Sequence, residues 1–192
     1  MRALSSSRGP SSTSSMDASG LAACFARARY SVFRLEAQPA YDVPTEADAI
    51  AAFTDGRPLP ERSVRTNGYL QLVAAARQRG VTWTRVRVVD EPLTDYQRFQ
   101  LAVYPGSVEA GENVLIAGRG VLHGLAAPVT DFWMIDAGHW GQRVIAMHYT
   151  PTGVFTGLRR VRHVAPWRKL ADIAISHAIP LDQFLAGRQA AR

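Results

Sequence analysis

The chain has 192 residues, 47% apolar, 9% aromatic and 20% charged, which are the proportions of a soluble globular domain and not of a collagen, a coiled coil or a wholly disordered protein. Its one cysteine, Cys24, excludes an internal disulfide framework, and no apolar run approaches the roughly 20 residues that a membrane span needs. The formal charge of +6 is unevenly placed: residues 21–158 balance 13 arginines against 13 acids, while the segment from residue 159 onward holds Arg159, Arg160, Arg162, Arg168, Lys169, Arg188 and Arg192 against Asp172 and Asp182.

Residues 1–20, with eight serines and almost no large apolar side chains, read as a Ser-rich tail that cannot bury enough surface to order itself. They contain no apolar core of a secretory signal, and either Met1 or Met16 could be the native start. From Leu21 to Tyr30 the spacing of Leu21, Cys24, Phe25 and Ala28 predicts a helix, with Cys24 on its apolar face as a buried thiol. Phe33-Arg34-Leu35-Glu36 reads as a short strand or extended connector, because the prolines that follow at 39 and 44 favour extended geometry. Thr45 is the expected cap of a second helix stopped by Gly56 and Pro58, and Asn67 that of a third ending at Gly80.

Trp83 to Val89 alternates as a strand, with Val86 and Val88 on one face and Arg85 and Arg87 on the other. Thr94 caps a fourth helix, predicted over Asp95–Tyr104 and ended by Pro105-Gly106. Four strand candidates follow, Asn113–Ala117, Phe132–Asp136, Arg143–Tyr149 and Val154–Val161, the last three joined by turn residues into an antiparallel meander. Helices over Trp167–His177 and from Leu181 to about Gln189 close the chain. The sum is an α+β fold over residues 21–192, a single domain with a mixed, largely antiparallel sheet and N-terminal, inserted and C-terminal helices.

The chemistry is less legible. Five histidines, at 123, 139, 148, 163 and 177, lack the spacing of a metal site, so no metal and no cofactor is expected. His148 could meet Asp131 or Asp136 across the meander, which is either a base with its orienting carboxylate or a structural pair. Gly118-Arg119-Gly120 is too short for a dinucleotide fingerprint and reads as a loop. The densest polar constellation is Arg85 and Arg87 on the strand with Asp95, Tyr96 and Arg98 at the start of the next helix, placed where a strand end and a helix N-terminus suit an anionic ligand. In the competing reading Asp95 pairs with Arg98 on the surface and Arg85 and Arg87 face water. Should that reading hold, the site is sought around His148, Trp133 and His139. The basic residues from 159 onward sit on a strand and two helices without a recognition face, so specific nucleic-acid binding is not expected.

Phe33-Arg34-Leu35-Glu36, Tyr41-Asp42-Val43-Pro44, Arg85-Val86-Arg87-Val88-Val89 running into Pro92-Leu93-Thr94-Asp95-Tyr96 with Arg98-Phe99, and Asp131-Phe132-Trp133 ending at Asp136 resemble an uncharacterised actinobacterial family. Its members are described as a domain of unknown function and are often encoded beside helix-turn-helix regulators. The resemblance covers about residues 20–186 and implies a cytoplasmic protein of a filamentous actinomycete with a regulatory or toxin and antitoxin-like role. With the arginine cluster, the expectation is a regulatory or partner-binding module that senses an anionic small molecule or pairs with such a regulator. The occurrence of members in natural-product gene clusters implies an alternative, a small cofactor-free tailoring enzyme. It carries over no catalytic residues. Two departures stand out: Gln100 where members often have an acid, and a loop after Asp136 enriched in Gly138, His139, Trp140 and Gly141.

Overall fold

The computed structural model describes residues 15–122 and 130–190. In chain order these form β1 (Ser15–Met16), α1 (Ala18–Ala26), β2 (Ser31–Glu36), a 3₁₀ turn at Pro44–Glu46, α2 (Ala47–Thr54), α3 (Gly68–Gln78), β3 (Thr82–Val89), α4 (Asp95–Ala110) and β4 (Glu112–Gly118). A second 3₁₀ turn at Arg119–Leu122 precedes β5 (Phe132–Ile135), β6 (Arg143–Tyr149), β7 (Phe155–Val161), α5 (Ala165–Ser176), β8 (Ile179–Pro180) and α6 (Leu181–Ala190).

The strands form one sheet in the order β1-β7-β6-β5-β2-β3-β4-β8. β2, β3 and β4 run parallel, as the intervening helices require, and all other pairings are antiparallel. The fold is therefore α+β with a mixed, largely antiparallel sheet, and the meander β5-β6-β7 forms as its turn residues dictate. Phe33–Glu36, which could have been a mere connector, lies in the middle of the sheet between β5 and β3.

Regular structure starts earlier than composition suggests: Ser15–Met16 pair with β7, and the Asp17 carboxylate caps α1 by accepting the Gly20 N–H at 2.8 Å. The rest of the Ser-rich segment, residues 1–14, lies outside the described residues. Thr94 caps α4 as predicted, in a capping box with Gln97. That helix does not stop at Pro105-Gly106; it runs on to Ala110 and ends at Gly111, whose φ of 104° only glycine adopts freely. Arg62 explains the continuation. Its guanidinium bonds the Val103 carbonyl at 3.2 Å and the Ser107 hydroxyl at 3.0 Å, bracing the turn around the proline. Gly106 lets the two segments approach, since a Cβ there would sit 2.7 Å from the Arg62 carbonyl oxygen.

Alternation sorts the sheet into two faces. Phe33, Leu35, Val86, Val88, Phe132, Met134 and Val144 point to one, where Ala171 and Ala174 of α5 cover them and Trp167 packs alongside. Val32, Trp83, Trp133, Ile135 and Ile145 point to the other and meet Phe25 of α1 with Leu70, Val73 and Ala76 of α3. On that second face the apolar surface gives way, toward the C-terminal ends of β2 and β3, to charge.

Candidate functional site

The in-register parallel pairing of β2 with β3 sets Arg34 beside Arg85 and Glu36 beside Arg87, all on the face that also carries Trp83 and Trp133. All four are buried, Arg87 completely. The expectation that Arg85 and Arg87 face water is corrected here: α3, α4 and the chain after β2 close over them. Glu36 is the hub, its Oε1 taking Arg85 Nη1 at 2.8 Å and Arg34 Nε at 3.1 Å while Oε2 accepts the Tyr104 hydroxyl at 2.8 Å. Arg85 Nε reaches Glu112 Oε1 at 2.9 Å, and the Tyr69 hydroxyl bridges the two, accepting from Arg85 and donating to Glu112. Asp131 accepts from the Ala37 N–H and the Tyr41 hydroxyl and lies 3.6 Å from Arg34 Nη2. Arg87 donates to the carbonyls of Gln38 and Glu36 and lies over the Tyr41 ring. Its Nε and Nη2, with Gln100 Oε1 and Glu112 Oε2, have no hydrogen-bond partner.

Three guanidiniums and three carboxylates thus cancel in a dry setting, and their electrostatics follow. Burial pushes the Glu36 carboxyl up, but Arg85, Arg34 and Arg87 outweigh it and hold the group at about 2. Burial raises the Tyr69 and Tyr104 phenols, and burial with the Asp131 charge raises Tyr41. Asp131 itself is pushed up by burial against the pull of Arg34. Glu36 and these tyrosines keep one protonation state across the neutral range, which suits a fixed framework better than proton transfer.

The remaining sequence candidates scatter. Tyr96 touches the edge of the network through the Tyr41 ring, yet its hydroxyl donates to Glu46 at 2.6 Å. Asp95 and Arg98 stay outside as an exposed ion pair, with Arg98 also donating to the Leu93 carbonyl. His148 makes no pair with Asp131 or Asp136. The Met147 N–H donates to the Asp131 carbonyl, so Met147 is the neighbour of Asp131 across the strands and alternation turns His148 to the opposite face. Asp136 lies at the other end of β5, beside the start of β6. Trp133 is buried in the core beneath the Arg34 guanidinium. Among the described residues no group of three or more His, Cys, Asp or Glu could hold a metal.

Asp136 does something else. One carboxylate oxygen accepts the backbone N–H groups of Arg29, Tyr30 and Ser31 at 2.8–3.2 Å, from a backbone held at φ 53°. This anchors the entry to β2 against the loop 136–142, which the His139 and Gln142 N–H bonds close into turns. Between the two segments lies a cleft of about 570 Å³ lined by Arg27, Arg29, Tyr30, Asp136, His139, Trp140, Gly141 and Arg143. Tyr30 and His139 stack face to face at 3.7 Å, and Trp140 is fully exposed. The side chains of Arg27, Arg29 and Arg143 make no ion pair or hydrogen bond among the described residues, so three free cations face one committed carboxylate. Sequence reasoning picked out His139 and Trp140 but not these arginines, which come from segments over a hundred residues apart. Arg34, Glu36, Tyr41, Tyr69, Tyr104 and Glu112 of the network were missed too; the equal phase of charge in two strands was their one signal.

A family model for a domain of unknown function, DUF6879, matches residues 19–186. The chain belongs to that family. The matched range takes in both the network and the cleft. Among curated proteins none matches the chain. Among the described residues no helix is long and apolar enough to cross a membrane.

Proposed function

We propose that the protein is a non-enzymatic, cytoplasmic sensing module whose ligand is an anion, bound in the cleft between Arg29 and the loop 136–142. The observation that carries this reading is the set of three unpaired arginines around a cleft of about 570 Å³, in contrast to Arg34 and Arg85, which the core buries against carboxylates. Unpaired guanidiniums lining a concave surface attract oxyanions and can grip them by paired N–H donors. The enzymatic alternative, a cofactor-free tailoring activity, lacks support by comparison, because His148 pairs with no carboxylate among the described residues and Glu36 and the network's tyrosines are held in fixed protonation states. The expected partner is a helix-turn-helix regulator encoded nearby in an actinobacterial genome, to which ligand occupancy would be reported.

The test is calorimetric titration of the full chain with inorganic pyrophosphate at low salt. Binding is expected, with Arg143→Ala weakening it tenfold or more, since a charge-assisted contact is worth about 1.5–3 kcal/mol. The melting temperature should barely change. Absence of binding by the unaltered protein overturns the proposal.

A further inference from the structure

The cleft holds more than charge. Trp140 sits at the tip of a turn bounded by Gly138 and Gly141, both at positive φ, and its indole is as exposed as a tryptophan can be. A side chain that contributes nothing to the core yet presents a large flat apolar surface beside free cations is placed to meet a ligand. Next to it the Tyr30 and His139 rings lie stacked with only 11° between their planes, so the cleft offers two flat walls as well as the arginines. The loop is held in shape from both sides: Gln142 accepts the Gly138 N–H through its side chain, and Ser31 accepts the Ala137 N–H. These aromatic groups are therefore presented by a braced turn.

Planar walls beside a cluster of guanidiniums match a ligand with an aromatic ring at one end and several oxyanions at the other. We infer that the cleft binds a nucleoside di- or triphosphate, its base stacked on Trp140 and its phosphates met by Arg27, Arg29 and Arg143. The lining carries three arginines against the single carboxylate of Asp136, a balance that favours a polyphosphate over a single monoanion. Its volume of about 570 Å³ lies within the range of small-molecule sites. A nucleic-acid strand shares this chemistry but needs a succession of stacking groups, and Trp140 is the one fully exposed aromatic among the described residues.

This inference rests on the anion-binding reading above, and the experiment separates the two. The full chain and its Trp140→Ala, Trp140→Phe and Arg143→Ala variants are titrated calorimetrically with pyrophosphate, ATP, GTP and a short single-stranded oligonucleotide. The expected result is nucleotide binding at least about tenfold tighter than pyrophosphate, a gain that Trp140→Ala removes and Trp140→Phe largely restores. Pyrophosphate affinity should be unmoved by Trp140→Ala and lost with Arg143→Ala. If pyrophosphate binds as well as ATP and Trp140→Ala changes neither, the nucleotide assignment is wrong while the anion site stands. If neither binds, both readings fall. An oligonucleotide binding more tightly than either free nucleotide identifies the ligand as a strand and overturns the assignment to a free nucleotide.

Discussion

Two groups of arginines occupy opposite ends of the same sheet face, and they differ in one respect. Arg34 and Arg85, at the C-terminal ends of the parallel strands, are buried and ion-paired with Glu36, Glu112 and Asp131, while Arg87 beside them donates to the Glu36 and Gln38 carbonyls under the Tyr41 ring. Arg27, Arg29 and Arg143, at the N-terminal end of β2, line an open cleft with no carboxylate paired to any of them. The first set lies where α/β architecture would lead one to look for a ligand, yet all three guanidiniums are sealed inside the protein and two of them already hold carboxylates. Position in the fold therefore points to one group, and the accounting of partners points to the other. A guanidinium already holding a carboxylate has little left for a ligand, whereas an unpaired one has all its donors.

If that contrast is right, the largest effect on stability comes from the buried hub. Glu36→Ala leaves Arg34 and Arg85 short of a partner in a dry environment and should lower the unfolding free energy by about 3–5 kcal/mol, read from urea midpoints. The same group sets an acid limb. Its carboxyl falls from 4.5 to about 2 on folding, so its stabilisation is complete above the unfolded value and is lost as pH drops through about 2. Asp131 works in the opposite sense, since a raised carboxyl stabilises below its unfolded value of 3.8 and loses that contribution as pH rises. Stability should therefore fall between about pH 4.5 and 2 in the unaltered protein and much less steeply in Glu36→Gln. A variant with the same acid slope would show that Glu36 is not the hub.

The next effect in size tests the frame of the cleft. Asp136→Ala removes a charged acceptor from three backbone N–H groups and puts alanine at φ 53°, which together should cost about 3 kcal/mol. Asp136→Asn keeps an acceptor and tolerates that backbone, so about half the loss is expected. Both variants should weaken pyrophosphate binding because Arg29 and Tyr30 lose their anchor to the loop. Unchanged affinity alongside reduced stability would separate the anchor from the site.

How far the sequence foretold these two regions depends on what kind of signal each leaves. The strands β3, β6 and β7, the caps Asn67 and Thr94 and the meander are local features, and alternation or a capping residue marks each of them. Burial of Arg85 and Arg87 was not legible, because alternation tells which face a side chain takes but not whether a helix covers that face. The cover comes from Tyr69 of α3, Tyr104 of α4 and Tyr41 of the loop after β2, whose convergence is a matter of topology. Pro105 misled for a similar reason: the residue that braces the helix across it, Arg62, lies in a distant loop. The cleft needs Arg27 and Arg29 to meet Arg143, and only the antiparallel register of β2 with β5 and of β5 with β6 makes them neighbours.

The smallest effect is expected at Asp95 and Arg98, the exposed end of the cluster of Arg85, Arg87, Asp95, Tyr96 and Arg98 in which the sequence placed its ligand site. Their side chains remain 91% and 48% exposed, and an exposed i,i+3 pair is worth about 0.5 kcal/mol or less, screened further by salt. Arg98 also donates to the Leu93 carbonyl at 2.7 Å, beside the capping residue of α4, so Arg98→Ala should cost slightly more than Asp95→Ala. A double-mutant cycle in urea should therefore return a coupling near the limit of detection. Neither change should alter pyrophosphate affinity, because Arg98 lies beyond the C-terminal end of β3, near the start of α4, while the cleft lies at the other end of the parallel strands, at the start of β2. Arg143→Ala is the matched control, a single arginine removed at the other site with the opposite pattern: stability kept and binding lost. If Arg98→Ala instead weakens the anion while Arg143→Ala does not, an arginine already holding a carboxylate still serves the ligand, and the rule separating the two groups fails.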